Sequence, residues 1–199
     1  MDAASAVTLI EFFTTVGKLK HLKRTGWVKC GVLEPETVAS HMYRMAVMGM
    51  MIPETLTVNK YKVMKMAIVH DMAEAVVGDI TPHCGVSESD KYTLEKNALT
   101  DMTSHLPDQS IAEDILALWQ EYEDNCTNEA KFVKDFDKFD MVLQAYEYEN
   151  DQAHIGPSGL EQFFASTQGV FRTDLVKSWN QTLRLRRSEA STNVQTQSQ

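Results

Sequence analysis

Residues 68–82 read IVHDMAEAVVGDITP. An apolar run leads into His70 and Asp71 side by side, Glu74 follows, and Asp79 stands just past Gly78. Ionisable groups set in an apolar helix must be paired, protonated or bound to a metal. MKMAIV before the pair and AEAVV after it predict one helix over 58–77, ended by Gly78. On that helix His70 and Glu74 share a face, and Asp71 and Glu74 are neighbours. His70 and Asp71, about 100° apart around the axis, can grip one ion from two sides.

An imidazole nitrogen and a carboxylate oxygen suit a divalent transition ion such as Co, Mn, Zn, Fe or Ni. Two ligands do not close a site, so more must come from other helices. His41 lies on a second apolar helix, ETVASHMYRMAVMGMM (36–51). A third, KFVKDFDKFDMVLQAYEYE (131–149), carries Asp135, Asp137 and Asp140, and spacing leaves open which of them faces the ion. The order His, His-Asp, Asp gives an N₂O₂ set with open positions for water and a substrate oxygen.

Around these segments the sequence reads as helix throughout. Gly (9) and Pro (5) are sparse among 199 residues and Met (11) is plentiful, which favours an all-α fold over a turn-rich β fold. Helices are expected over 7–22, from Pro35 to Pro53, near 89–105, 109–124 and 128–151, and over 160–168 and 173–187. The stretch 23–35 reads as irregular. One domain spans 1–187, and the polar, aperiodic segment 188–199 reads as a disordered tail. The Met cluster at 42, 45, 48, 50 and 51 suits core packing or a dimer face.

The net charge of −9 argues against a nucleic-acid polymer as partner, while a metal and local cations can still hold one phosphate. No apolar run is long enough to span a membrane and no secretory signal opens the chain. Cys30, Cys84 and Cys126 form no CxxC, which suits a reducing compartment: cytoplasmic, with the nucleus left open.

Four blocks carry a resemblance: RTGW (24–27), PETVASHMYRMAVM (35–48), VHDMAEAVVGDITP (69–82) and KFVKDFDKFDMVLQAYEYE (131–149). Together, in this order and over about residues 8–185, they resemble the HD-domain metal-dependent phosphohydrolases, and among these the 5′-deoxynucleotidases of eukaryotes. The resemblance implies a single-domain HD-type helical bundle with the metal site between helices, usually as a homodimer. It implies one divalent metal held by His41, His70, Asp71 and Asp137, and hydrolysis of deoxynucleoside 5′-monophosphates to deoxynucleoside and phosphate. It makes Glu74 the catalytic acid/base, Asp79 a catalytic and substrate-binding residue beside the sugar and the leaving oxygen, and Trp27 the ring that crowds the 2′ side of the sugar. Bacterial relatives carry a phosphate-binding Arg directly before this Trp, where this chain has Gly26. Arg24 is the nearest guanidinium, with Lys23 and Lys29 as substitutes. Two alternatives are an HD-type hydrolase of a triphosphate or cyclic nucleotide, and a non-enzymatic metal-stabilised scaffold, which would have no use for Glu74.

Overall fold

The structure of the chain, a computed structural model, describes residues 2–156 and 158–197, with the backbone alone at 83 and over 191–197. Ten α-helices follow one another among the described residues: α1 (Ala3–Gly17), α2 (Thr25–Lys29), α3 (Val38–Met50), α4 (Lys60–Val69), α5 (Glu74–Val77), α6 (Glu88–Ser104), α7 (Gln109–Asp124), α8 (Asn128–Asp151), α9 (Glu161–Ser166) and α10 (Asp174–Gln197). The fold is an all-α bundle, as the composition implies.

Most helix starts follow from a short polar side chain that satisfies an otherwise orphaned backbone N–H. Thr37 caps α3 through Ser40 N, Asn59 caps α4 through Lys62 N, Ser87 caps α6 through Asp90 N, and Thr127 caps α8 through Ala130 N. The Thr37 cap places the start of α3 at Val38 rather than at Pro35. Asn125, in the left-handed region at φ 52°, ends α7.

At the centre α3 lies along α4, and α8 packs against both. Gly49 lets α3 and α4 approach: a Cβ there would stand 2.9 Å from Met64 Cγ. Met45, Val63, Met66, Leu99, Trp119, Phe136 and Val142 fill the core. The Met cluster divides, with Met42, Met45 and Met48 buried and Met50 and Met51 exposed.

Two local departures from the sequence reading shape the site. The helix expected over 58–77 is broken: α4 ends at Val69 and α5 starts at Glu74. The Ala67 carbonyl, which would take the Asp71 N–H in a continuing α-helix, meets His70 Nδ1 at 2.9 Å instead. The backbone then tightens, with Met72 N–H donating to Val69 O and Glu74 N–H to Asp71 O. In such a turn residues three apart eclipse, so Glu74 aligns with Asp71 rather than with His70. Within the stretch read as irregular, α2 forms because Asp79 Oδ2 accepts the Thr25 N–H at its first turn, 2.6 Å away.

The last helix is anchored by Trp179, stacked on Phe136 at 5.8 Å, and by Arg187, which donates to Glu149 and Glu161, each at 2.7 Å. Leu183 is the last buried residue among those described. The backbone of α10 stays helical to Gln197, and residues 198 and 199 of the expected tail lie outside the described residues. We propose that the core domain ends at Arg187, beyond which no described side chain is buried.

Candidate metal centre and active-site pocket

The structure brings His41, His70 and Asp71 together, with Asp137 beside His41. His41 comes from α3, the His70–Asp71 pair from the tight turn after α4, and Asp137 from α8. His41 Nε2 lies 3.2 Å from Asp137 Oδ1 and 3.8 Å from Asp71 Oδ2, and His70 Nε2 lies 3.2 Å from Asp71 Oδ2.

Both imidazoles have their tautomer set from behind. His41 Nδ1 contacts Asp140 Oδ2 at 2.7 Å, and His70 Nδ1 contacts the Ala67 carbonyl at 2.9 Å. A carbonyl can only accept, so Nδ1–H of His70 donates, and in the neutral ring Nε2 carries the lone pair. The carboxylate behind His41 has the same effect, the arrangement that orients metal-binding histidines. Both Nε2 atoms are buried and without a hydrogen-bond partner. Two buried Nε2 atoms facing two aspartates suit a divalent cation. Asp137 and Asp140 hold the His41 pKa up at about 9 against burial and Arg24, a measure of the positive charge these carboxylates demand.

Spacing could not choose among the three aspartates of α8, and the structure separates them. Asp137 faces the imidazoles, with its Oδ2 accepting from the Tyr122 hydroxyl at 3.2 Å. Asp140 stands behind His41 and takes the Arg44 guanidinium. Asp135 points away and accepts the backbone N–H of Arg172 and Thr173, joining α8 to the start of α10. Glu36, His41 and Asp140 also converge, but there the His41 Nδ1–H and the Arg44 guanidinium already meet Asp140, so that side is a support for the centre.

The centre opens into a pocket of about 840 Å³. Glu74, Asp79, Arg24 and Trp27 all line it. Glu74 is buried with Oε2 unpartnered, and burial, with Asp71 and Asp79 nearby, pushes its carboxyl well above the usual range. Arg24 reaches the centre round the T-G turn: its Nη1 donates to Asp71 Oδ2 at 3.2 Å and its Nη2 lies 3.8 Å from Asp137 Oδ1. Lys29 reaches instead to Cys84 Sγ, 3.5 Å away, and the Lys23 backbone bridges to Thr37. Asp79 anchors this turn twice, accepting from Thr25 N–H at 2.6 Å and, through its carbonyl, from the Thr25 hydroxyl at 2.9 Å. Trp27 is both core and wall. Its Nε1–H donates to Glu36 at 2.9 Å, and its ring packs on Phe163 and Tyr148 with centroids 4.4 and 5.4 Å apart.

Six more residues of the pocket carry charge or bond Asp137 and were not singled out from the sequence: Lys91, Glu95, Tyr122, Glu123, Lys134 and Lys138. Tyr122 bonds Asp137 and packs 5.0 Å from His70. Lys91, Glu95 and Lys134 line the wall built by α6 and α8. Lys91 and Glu95 form an i,i+4 pair that reads in the sequence like any surface pair, whereas Tyr122 and Lys134 meet partners on a neighbouring helix.

The HD-domain family model matches residues 16–179. The chain belongs to the HD-domain family, and its relatives place it with the 5′-deoxynucleotidases. It is 50% identical over 177 residues to "5′-deoxynucleotidase HDDC2" of Dictyostelium discoideum, covering 85% of this chain and 93% of the relative. It is 45% identical over 166 residues to the human protein of the same name, covering 83% and 79%. A conserved hypothetical protein of Pyrococcus furiosus has the same fold, with a TM-score of 0.68 and 31% identity over 88% of this chain and 98% of the other.

The buried Glu95 makes stability depend on pH. Burial chiefly, aided by Asp71 and Glu123 and opposed by Lys91, raises its carboxyl to about 7 from an ordinary 4.5. An acid that holds its proton more tightly in the folded chain contributes stability fully below 4.5 and loses it as pH rises through about 7. In Glu95→Gln that loss disappears, so the variant should gain in Tm relative to the wild type between pH 5 and pH 8. A difference in Tm that stays constant across this range would contradict the assignment.

Proposed function

We propose that the protein is a metal-dependent 5′-deoxynucleotidase that hydrolyses deoxynucleoside 5′-monophosphates to deoxynucleoside and phosphate. The observation that carries this reading is the pair of orphaned, buried Nε2 atoms facing Asp71 and Asp137 at the head of a pocket that also holds Glu74 and Arg24. His41, His70, Asp71 and Asp137 are proposed as the ligands of one divalent ion. Two imidazoles and two carboxylates suit Co, Mn, Zn, Fe or Ni better than Mg or Ca, whose sites are built from oxygen. When bound, such an ion supplies Lewis-acid polarisation of a phosphate oxygen and a water acidic enough to attack at neutral pH.

The residues of this chain do the rest. Arg24 presents a planar fork to the phosphate, and charge growing on its oxygens in the transition state is drawn by that fixed cation. Glu74, beside Asp71 and with one oxygen unpartnered, orients the attacking water and carries a proton between water and leaving 5′-oxygen. Asp79 holds the Arg24–Trp27 turn in place and borders the sugar. Trp27 cannot yield: Glu36, Tyr148 and Phe163 fix its ring on three sides. An added 2′-hydroxyl would meet that ring without room or partner, so deoxyribose is preferred.

Two further parts of the proposal concern the setting of the enzyme. Tyr43, Val47 and Met50 on α3, Met51 just past its end, and Tyr61 and Ile68 on α4 leave an exposed apolar face on two adjacent helices. A face of this kind supports a homodimer. Cys30, Cys84 and Cys126 are free thiols, in keeping with the reducing cytoplasm, for which cell fractionation is the check.

Phosphate release by the metal-loaded protein from deoxy- and ribonucleoside monophosphates and from a deoxynucleoside triphosphate tests the activity. The deoxy-monophosphate should be at least about tenfold preferred in kcat/KM over its ribose counterpart. Glu74→Gln should keep its metal and lose about 10²–10⁴ in kcat. Release from the triphosphate alone, or an unimpaired Glu74→Gln, would reject the reading. Sedimentation equilibrium should find a dimer that Val47→Glu converts to monomer, and a monomeric wild type would remove the dimer.

A further inference from the structure

The charges around the centre do not balance for its proposed substrate with the groups considered so far. Asp71 and Asp137 offset the two positive charges of a divalent ion. A phosphate monoester then brings close to two negative charges at neutral pH, because its second pKa lies near 6. Arg24 answers one of them. A second fixed cation on the pocket wall would answer the other and bind the phosphate more tightly.

Of the lysines on the pocket wall, two can be compared directly. Lys134 is occupied: its ammonium is 3.1 Å from Glu123 and 3.4 Å above the ring of Tyr122. Lys91, on the second turn of α6, is held only loosely, 3.5 Å from Glu95 Oε1. That distance exceeds a normal charge-assisted hydrogen bond, so the three donors of the ammonium keep capacity for another acceptor. Its side chain is half-buried and lines the same pocket as Arg24, Asp71 and Asp137. Burial lowers its pKa, yet Glu95 first, then Asp71, Glu74 and Asp137, raise it further, so the ammonium stands in the field of the centre itself.

We propose that Lys91 is a second phosphate-binding cation of this pocket, acting with Arg24 on the phosphate of the bound nucleotide. The substrate named here rests on the hydrolase reading, but the part played by Lys91 can be read with inorganic phosphate alone. Arg24 supplies a flat bidentate contact from α2, and Lys91 supplies a compact point charge from α6. Their elements are far apart in the chain, so the two cations converge on the phosphate only in the folded protein.

The test is the binding of inorganic phosphate to the metal-loaded wild type, Lys91→Met, Lys91→Arg and Lys96→Met by calorimetry, with Tm and metal content measured for each. Lys96 lies on the same helix outside the pocket, near Tyr92, and controls for the loss of a general positive charge. Lys91→Met should bind phosphate about tenfold more weakly, and its KM for a deoxynucleoside monophosphate should rise by a similar factor. Lys91→Arg should recover most of the affinity, and Lys96→Met should stay within about twofold of the wild type. Lys91→Gln is read in place of Lys91→Met if the latter does not fold. Wild-type affinity in the charge-removing variant, or an equal loss in Lys96→Met, overturns the proposal. A wild type that binds phosphate through Lys91 yet releases none from the nucleotide leaves Lys91 standing and removes the hydrolase reading. A wild type that hydrolyses the nucleotide while Lys91→Met binds phosphate normally does the reverse.

Discussion

Two imidazole nitrogens facing two aspartates, His41 and His70 against Asp71 and Asp137, are the constraint around which this bundle is organised. Asp71 and Asp137 bring two negative charges to these imidazoles, whose buried Nε2 atoms have no hydrogen-bond partner. A cation reconciles all four. The surroundings make sense as supports for that arrangement: Asp140 and Arg44 behind His41, the Ala67 carbonyl behind His70, and Tyr122 on Asp137. Removal of a support would leave the ligand present but free to turn, and a centre of this kind depends on fixed orientation as much as on ligand identity.

The broken helix at 70–73 belongs to the same logic. A continuing α-helix would place Glu74 one turn from His70 on the same face. The tight turn instead sets Glu74 in line with Asp71, facing the pocket, where a water and a substrate can reach it. The same His70 side chain that aims Nε2 at the centre takes the carbonyl that would have extended the helix. One hydrogen bond thus orients His70, a proposed ligand, and takes up the carbonyl at the break before the proposed acid/base.

Much of this was legible in the sequence, and the remainder was illegible for physical reasons. The apolar run around His70–Asp71 and the helical spacing around His41 marked three converging helices. The boundaries of α7 and α8 agree with the periodic pattern. The break after Val69 did not show, because its cause is a side-chain bond to a carbonyl and not a Gly or Pro. The start of α2 did not show either, because its cap comes from Asp79, 54 positions along the chain. Likewise the choice of Asp137 over Asp135 and Asp140 depends on which neighbour each one meets: an imidazole lone pair, the Arg172 and Thr173 backbone, or an arginine. A net charge of −9 also concealed the cations of the pocket, since Arg24, Lys91 and Lys134 gather there only through the fold.

The most direct trial of the account is a crystal of the protein grown with Mn or Co and measured at the absorption edge of that metal. A single anomalous peak is expected, about 2.0–2.3 Å from His41 Nε2, His70 Nε2 and one oxygen each of Asp71 and Asp137. A peak that lies elsewhere in the chain, or one that touches Asp140 or Asp135 in place of Asp137, would contradict it.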